Sequence, residues 1–501
     1  MSADSALPSD LADMQGLLRF SFKHHTEAVF LLLRISDPCA ARRWIGALAV
    51  NNATTTSSLP DTVLQLAFTC DGLAALGVPE AIRAQFSLEF LEGMTGNPDR
   101  ARRLGDVGPN DPQQWGWGVG GRRPHIALLL YALPGRLDAF QSSVQTSLTG
   151  ICEPIGQLQT SDMKGVEPFG FVDGISQPQL DWGRQRPALD ALRPGYSNLG
   201  CLGEFVLGYP NEYGLYTPRP LLDSHEDPAG ILPRAEDVAG KQDFGRNGSY
   251  LVVRQLRQDV SGFWRALDRY AAGNPDLRVR LAQAMVGRTL QGEPLVGVRH
   301  EQIQGNPPPS VGDLNDFTYR ADPSGLSCPL GAHIRRTNPR NGDVPPDTDG
   351  IGPRLLCTLG LDATARALDL VASTRFHRLL RRGREYGEFL GPERALQTDA
   401  GAESGLQFMC LNASIERQFE FVQNAWVMSS KFDGLRDEND PLLGNRLPAL
   451  GGERTDCFTV PQCDAPATTL TGLPPFVTVR GGDYFFLPGL RALRFLASVA
   501  A

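Results

Sequence analysis

The sequence predicts an α+β protein with two domains, and three observations lead to this prediction. Apolar runs of strand length alternate with amphipathic segments of helical spacing in both halves of the chain. The 501 residues are enough for more than one domain, and 41% of them are hydrophobic. Residues 183–242 are rich in Pro, Gly, Arg and Asp and show little periodicity. We therefore expect domains at 1–182 and 243–501, with 183–242 as a long loop or insertion.

The first half contains two strand–helix–strand units. Residues 28–35 (AVFLLLRI) are a dense apolar run that predicts a strand, and CAARRWIGALAV behind it has helical spacing. LQLAFT predicts a second strand, and 125–133 (HIALLLYAL) a third. Residues 136–150 are amphipathic and end on a glycine, as many helices do. This order is compatible with a ferredoxin-like unit.

The second half repeats this style. Residues 248–260 (GSYLVVRQLRQDV) predict a strand, and 261–273 predict a helix with Ser261 as its N-cap. Residues 406–414 (LQFMCLNAS) predict another strand, followed by an amphipathic helix over 416–427. The second half is therefore also expected to be an α+β domain.

Charge and cysteine content exclude several classes of function. A net charge of -8 argues against nucleic acid or an anionic membrane as a partner. The nine cysteines include no CxxC, so a zinc site is not expected, and the absence of CxxCH excludes a covalent c-type haem. The first residues lack a signal peptide, and the apolar runs are too short to span a membrane. We expect reduced thiols and a cytoplasmic location.

Among the seven histidines, His333 has the most informative surroundings. It lies in SCPLGAHIRRTNPR (327–340), which we interpret as a buried strand that ends next to Arg335, Arg336 and Arg340. A neutral imidazole beside fixed positive charge suits an iron ligand whose cofactor carries acidic groups, because guanidinium pairs with carboxylate. The alternative is a core histidine with surface arginines. His225 in DSHED could bind a metal, but a mobile acidic loop is the simpler interpretation.

Two further stretches place charge next to glycine. GFVDG (170–174) holds one carboxylate between two glycines, which indicates a tight turn; Asp173 either caps that turn or carries chemistry. LLRRGREYG (379–387) offers an arginine that could oppose a developing negative charge, although most of its arginines are expected on a solvated face.

Taken in order, GFVDG, CPLGAHIRRTNPR, LLRRGREYG and LQFMCLNASIERQFEFVQNAW resemble the dye-decolourising peroxidase family. The resemblance extends from DMQG near residue 13 to the closing GGDYFFLPGLRALRFLA, and the long insertions are similar to the larger branch of the family. It implies two ferredoxin-like domains and a non-covalent haem b in a cavity of the C-terminal half.

The resemblance also implies roles for single residues. Asp173 would be the distal acid–base residue and Arg381 the distal arginine, with Arg382 as the competing register. His333 would be the proximal iron ligand. The remaining cofactor-binding residues would be Arg336, Leu406, Phe408 and, behind the histidine, Asp440 of NDPLLG.

The function that follows is a haem-dependent peroxidase. It would reduce hydrogen peroxide and oxidise bulky dyes or phenolics by one-electron steps, as a monomer or homodimer without a nucleic-acid or membrane partner. The alternatives are a haem-binding or haem-handling protein without efficient turnover, and an α+β scaffold without catalysis. Because an aspartate has an ordinary pKa of about 3.9, an Asp base predicts an acidic activity optimum.

Overall fold

The computed structural model describes residues 10–54, 59–185, 198–296, 314–340, 374–397, 403–448 and 451–499. The strands within these ranges, numbered in chain order, are β1 (Glu27–Ile35), β2 (Thr62–Phe68), β3 (Ile126–Ala132), β4 (Cys152–Gln159), β5 (Gln179–Leu180), β6 (Leu199–Gly200), β7 (Leu221–Leu222), β8 (Gln242–Asp243), β9 (Ser249–Gln258), β10 (Leu380–Arg381), β11 (Arg384–Tyr386), β12 (Ser404–Asn412), β13 (Phe458–Val460), β14 (Thr468–Leu470) and β15 (Val477–Leu487).

The helices of the same ranges are α1 (Pro38–Ala47), α2 (Cys70–Ala75), α3 (Glu80–Arg83), α4 (Leu88–Glu92), α5 (Pro98–Leu104), α6 (Leu137–Ser147), α7 (Val260–Tyr270), α8 (Pro275–Val286), α9 (His333–Thr337), α10 (Pro392–Gln397) and α11 (Leu490–Ser498). Two π-helical stretches, Glu416–Glu420 and Val422–Val427, follow β12. Short 3₁₀ helices lie at Gly16–Leu18, Gly108–Asn110, Pro112–Gln114, Gly120–Arg122, Leu202–Glu204, Thr374–Phe376 and Phe432–Gly434.

Nine strands form one sheet in which every pair is antiparallel. Its order is β10-β12-β9-β15-β2-β3-β1-β4, and β11 also pairs with β12. The four N-terminal strands, β4-β1-β3-β2, have the order of a ferredoxin-like unit built from β1–α1–β2 and β3–α6–β4. The C-terminal strands β15-β9-β12-β10 repeat that order. The expected α+β class with antiparallel, ferredoxin-like sheets is confirmed.

The two halves of the sheet meet where β2 pairs with β15, at Phe68 and Phe486. One sheet therefore runs through both halves, and the domain boundaries expected at residues 182 and 242 stay a prediction. Between those positions the described residues form no strand longer than two residues, and a 3₁₀ helix lies at Leu202–Glu204.

Local sequence explains where the helices begin. Asp37 caps α1 by accepting a hydrogen bond from the Ala40 N–H at 2.9 Å. The prediction that Ser261 caps α7 is wrong, because the helix already begins at Val260. The cap is Asp259, whose carboxylate accepts from the Gly262 N–H at 2.9 Å and also interacts favourably with the helix dipole.

The sheet is buried on both faces, since successive side chains of a strand point to opposite sides. On β9, Tyr250 and Val252 join a core cluster with Trp264 of α7, while Leu251 and Val253 join the cluster on the other face. Among the described helices, none combines the length and the apolar character that crossing a membrane requires. The edge of the sheet at β10, β11 and β12 carries the site described next.

Candidate functional site

The GFVDG stretch forms a turn whose two glycines have left-handed backbone conformations. Gly170 has a φ of +106° and Gly174 a φ of +79°. A Cβ added to Gly170 would lie 4.0 Å from Leu290 and Trp264, which is ordinary contact. Backbone conformation, rather than lack of space, therefore favours glycine here. Asp173 lies between these two glycines.

The carboxylate of Glu167 holds this turn together, a role that the sequence analysis missed. Its oxygens accept hydrogen bonds from the Phe169 N–H at 3.0 Å and the Phe171 N–H at 3.1 Å. Gln258 on β9 donates to the same carboxylate at 2.7 Å. Burial raises the pKa of Glu167 to about 7 although these donors lower it. The turn is thus fixed to the central sheet through one buried carboxyl group.

Asp173 forms an ion pair with Arg381, at 3.0 Å between Oδ1 and Nη1. Burial raises the pKa of Asp173, but the Arg381 guanidinium and the Gly174 N–H outweigh it, so this pKa lies below its ordinary value. The competing residue Arg382 points elsewhere and donates to the carbonyls of Leu17 at 2.8 Å and Leu18 at 3.1 Å. The structure thus brings Arg381, and not Arg382, to Asp173.

His333 begins the short helix α9, so the expectation that it ends a buried strand is wrong. Its Nδ1 lies 2.9 Å from Oδ2 of Asp440, which is fully buried. The other oxygen of Asp440 accepts from the N–H groups of Leu442 and Leu443, each at 2.9 Å. The candidate carboxylate Asp440 therefore lies behind the imidazole, as the resemblance implied.

The pKa shifts of Asp440 and His333 favour an ionised Asp440 that accepts a hydrogen bond from the imidazole. Burial raises the pKa of Asp440, but the nearby His333 and the Leu443 N–H outweigh it and hold the pKa below its ordinary value. Burial lowers the pKa of His333, but the negative charge of Asp440 and its hydrogen bond raise this pKa by more, so the net shift is upward. An ionised Asp440 accepts the Nδ1–H, which leaves Nε2 as the ring nitrogen available to a ligand.

Asp173, Arg381 and His333 line one cavity, which we call the inner cavity, and Asp440 lies behind His333. Leu406 and Phe408, two positions apart on β12, form part of its wall, as expected. Its other described apolar lining includes Leu256, Val286, Ile334, Phe419, Val422, Leu442 and Val477. A wide apolar space with one imidazole whose Nδ1 is held by a carboxylate is the donor set that a haem requires. The residues present therefore fit this cofactor.

The arginines that follow His333 do not line the inner cavity. Arg336 is fully buried and donates to four backbone carbonyls. Arg335 binds Asp322, and Arg340 binds the backbone of Asn315 and Phe317. Besides His333, α9 contributes Ile334 and Thr337 to the cavity lining. Residues 335 and 336 lie between them on the helix and therefore point in other directions. Arg336 thus does not occupy the cofactor-binding position given to it from the sequence.

Two arginines distant in sequence from His333 line the cavity besides Arg381. Arg288 follows α8 and donates to the Gly292 carbonyl at 2.6 Å and to the Ser176 hydroxyl at 2.9 Å. Burial lowers its pKa to about 10. Arg378 lies just before β10. No local pattern identifies either residue, since only the folded chain brings them to the cavity.

A second, polar cavity lies outside the Asp173–Arg381 pair, and we call it the outer cavity. Its described lining includes Lys23, Asp162, Lys164, Gln177, Arg384 and Glu385, together with Asp173 and Arg381. Asp173 and Arg381 are therefore two of the described residues that line both cavities, and the others are Ile175, Gln177, Pro178 and Asn198.

The DSHED segment does not form a metal site. His225 is exposed, Asp223 pairs with Lys241 at 2.9 Å, and Asp227 accepts from the Leu232 N–H at 2.8 Å. Within the described ranges, no group of three or more His, Cys, Asp or Glu residues is arranged to hold a metal ion. Its acidic residues serve local structure.

Comparison with known proteins gives one consistent result. No protein-family model matches the sequence. The dye-decolorizing peroxidase msp1 of Mycetinis scorodonius is 28% identical, over 99% of this chain and 90% of that protein. The multifunctional dye peroxidase DyP2 of an Amycolatopsis species is 29% identical over 74% of this chain and 70% of its own length.

Solved structures agree in fold. A dye-decolorizing peroxidase in complex with 2,6-dimethoxyphenol superposes with a TM-score of 0.70 at 21% identity, over 98% of this chain and all (100%) of that one. A fungal DyP-type peroxidase from Auricularia auricula-judae gives 0.70 at 24% identity, over 98% and 99%. Over nearly its full length the chain is similar to curated dye-decolorizing peroxidases, and it has the fold of solved dye-decolorizing peroxidases.

Proposed function

We propose that this peroxidase reduces hydrogen peroxide in the inner cavity, at a haem b held there without a covalent bond, between His333 and Asp173. The observation that carries the proposal is that three side chains from two hydrogen-bonded pairs, His333, Asp173 and Arg381, line one mostly apolar cavity. The imidazole is backed by a carboxylate, and the Asp173 carboxylate lies beside the Arg381 guanidinium.

In this proposal the chain's own residues hold the cofactor. His333 would bind the iron through Nε2, and the apolar wall with Leu406 and Phe408 would contact the macrocycle. Arg288 and Arg378 are the described arginines on the lining that could balance its acidic groups, the role first given to Arg336. When bound, the haem supplies the redox centre that passes two electrons to peroxide and regains them singly from two reductant molecules.

Asp173 would move the proton. Its carboxylate takes the proton from one peroxide oxygen and returns it to the other oxygen, which leaves as water. A pKa below the ordinary value keeps this group ionised, and so able to accept a proton, in mildly acidic solution. The outer cavity gives peroxide and water a path to the carboxylate.

Arg381 would oppose the negative charge that grows on the leaving oxygen. A guanidinium keeps its charge at every working pH. The backbone of Arg381 is held by Gln177, whose side-chain oxygen accepts a hydrogen bond from the Arg381 backbone N–H at 3.0 Å. A charge that is already in place needs no reorganisation when the bond breaks. Asp440 would orient the His333 ring and make it a stronger electron donor.

The reductants are proposed from the relatives. One solved relative is described in complex with 2,6-dimethoxyphenol, and others are named for dyes. We therefore propose phenolics and bulky dyes as electron donors. A cytoplasmic location and a monomeric or homodimeric state stay predictions.

The test is a haemin titration of the purified chain, followed by one equivalent of hydrogen peroxide. We expect stoichiometric binding, a rapid change of the haem absorption with peroxide, and its reversal by 2,6-dimethoxyphenol. Slow bleaching without reversal would instead support a haem-binding protein without turnover. Absence of haem binding would overturn the assignment of His333.

A further inference from the structure

We propose that Arg336 is a positioning residue, which fixes α9 against the segment that carries Asp440 and thereby sets the hydrogen bond between His333 and Asp440. The inference deepens the proposed function and rests on it, since it concerns how the imidazole assigned to iron is held.

The contacts of Arg336 are unusual for a charged side chain. It is 0% exposed, and all four of its hydrogen-bond acceptors are backbone carbonyls. Nη1 donates to Trp426 at 2.7 Å and to Ser429 at 3.0 Å. Nη2 donates to Glu438 at 2.8 Å, and Nε donates to Gly331 at 3.3 Å. One side chain thus joins the loop before α9 to two other chain segments.

Those two segments meet at Asp440. The Asp440 N–H donates to the Val427 carbonyl at 2.8 Å, so residue 440 is attached to the segment that contains Trp426 and Ser429. Glu438 lies two residues before Asp440 on the other segment. The Arg336 guanidinium therefore binds both segments that meet at Asp440. The backbone of Arg336 belongs to the helix that begins with His333.

The cost of burying this charge supports a specific role. No carboxylate lies within ion-pair distance of Arg336 among the described residues, so its partners are neutral carbonyls. Burial of a guanidinium is unfavourable unless its N–H groups are satisfied. An apolar side chain would fill the space without that cost, but it could not tie three backbone segments together by directional hydrogen bonds.

The neighbouring Arg335 provides a matched control. It is also buried, at 3% exposure, and donates to the carbonyls of Cys328 and Asp322, both at 2.9 Å. It also pairs with the Asp322 carboxylate at 3.2 Å. It fixes the same helix, but to Asp322 and Cys328, which belong to neither of the two segments that meet at Asp440. Loss of either arginine should cost stability, and only loss of Arg336 should alter the His333–Asp440 hydrogen bond.

The experiment compares Arg336→Lys with Arg335→Lys in the haem-loaded full chain, with Asp440→Asn as the reference for a weakened hydrogen bond. The readouts are the iron–imidazole stretching frequency of the ferrous protein and the ferric/ferrous reduction potential. A carboxylate partner makes the imidazole a stronger donor, so its loss lowers the frequency and raises the potential. We expect Arg336→Lys to move both values most of the way to those of Asp440→Asn.

For Arg335→Lys we expect a lower melting temperature with frequency and potential as in the wild type. Equal shifts in the two lysine variants, or an unchanged frequency in Arg336→Lys, would overturn the proposal. If Arg336→Lys does not fold, Phe432→Leu serves instead, because the Arg336 guanidinium lies 5.1 Å from the centre of the Phe432 ring. That variant should give a smaller shift in the same direction, and no shift would count against the proposal.

A measurement without haem separates this inference from the proposed function. In the histidine-labelled apoprotein, the Nδ1 proton of His333 should give a downfield NMR signal that disappears in His333→Ala. We expect this signal to weaken and exchange faster in Arg336→Lys, and to persist in Arg335→Lys. If haem proves not to bind through His333, the proposed function fails, and this signal still decides whether Arg336 positions the pair.

Discussion

The inner cavity is lined by residues of two pairs, His333 with Asp440 and Asp173 with Arg381, and the two carboxylates lie in opposite environments. On the His333 side, Asp440 is 0% exposed and is held by two backbone N–H groups. On the Asp173 side, the side chains of Asp173 and Arg381 are 35% and 30% exposed and border the outer cavity. The Asp440 carboxylate is therefore closed off by packing, whereas the Asp173 carboxylate is open.

The difference fits the role proposed for each pair. A ligand to iron works best at one distance and orientation, so fixed, buried neighbours are an advantage. An acid–base group must exchange a proton and meet peroxide, so it needs access to solvent. Experiments that disturb one side should therefore change haem binding and haem electronics, whereas those that disturb the other should change turnover.

Removal of the imidazole should have the largest effect. We expect His333→Ala to lose haem affinity, measured by haemin titration, because no other described residue at that position of the cavity can bind the iron. The control is His377→Phe, since His377 also lines the cavity and stacks on Phe421 with ring centres 3.7 Å apart. Retention of tight haem binding by His333→Ala would remove the contrast between the two sides.

Asp173→Asn should keep the haem and lose turnover. An amide cannot accept and return a proton, so we expect the rate with peroxide to fall by about 10²- to 10⁴-fold. Stopped-flow measurement of the haem absorption change checks this. A rate close to the wild type would make Asp173 a turn residue only.

Replacement of Arg381 should have the next largest effect. Arg381→Leu removes the fixed positive charge, and we expect the peroxide step to slow by about 10²- to 10³-fold. Arg382→Lys is the matched variant, because Arg382 binds the carbonyls of Leu17 and Leu18. It should lower thermal stability without slowing this step, and the reverse result would exchange the two assignments.

Glu167→Gln should test whether the open side also depends on buried support. A glutamine offers one acceptor oxygen where the carboxylate offers two, so one of the Phe169 and Phe171 N–H groups loses its acceptor. We expect a loss of about 1–3 kcal/mol of folding free energy and a several-fold slower peroxide step with haem affinity unchanged. Urea unfolding and stopped-flow rates measure the two effects. Unchanged stability would show that the turn holds itself.

The smallest effect should be on the pH profile. The folded-state pKa of Asp173 lies below its ordinary value, so the carboxylate stays ionised above that pKa and is lost as a base when pH falls through it. We therefore expect the acid limb of the rate of the peroxide step to lie below about pH 4. In Arg381→Leu the residual activity should have its acid limb at higher pH, because the charge that lowers the Asp173 pKa is gone. An acid limb near neutral pH in the wild type would contradict an Asp base.

The sequence by itself determined several elements of each half, such as β1–α1–β2 and β9–α7, and the place of Asp173 between two glycines. These features depend on neighbours a few residues away, through periodicity, capping and backbone conformation. Even so, the predicted N-cap of α7 was wrong: Asp259, and not Ser261, accepts the hydrogen bond at the start of this helix.

Only the tertiary structure decided what lies next to each functional group. The partner of His333 is 107 positions away in the sequence, and the turn that carries Asp173 is held by Gln258, 91 positions from Glu167. Arg336 matches a cofactor ligand by sequence, yet its side chain is turned to backbone carbonyls of residues 426–438. Such contacts form only when segments distant in sequence pack against the same sheet. That packing also decides which way a side chain on a short helix points, and no local sequence pattern encodes it.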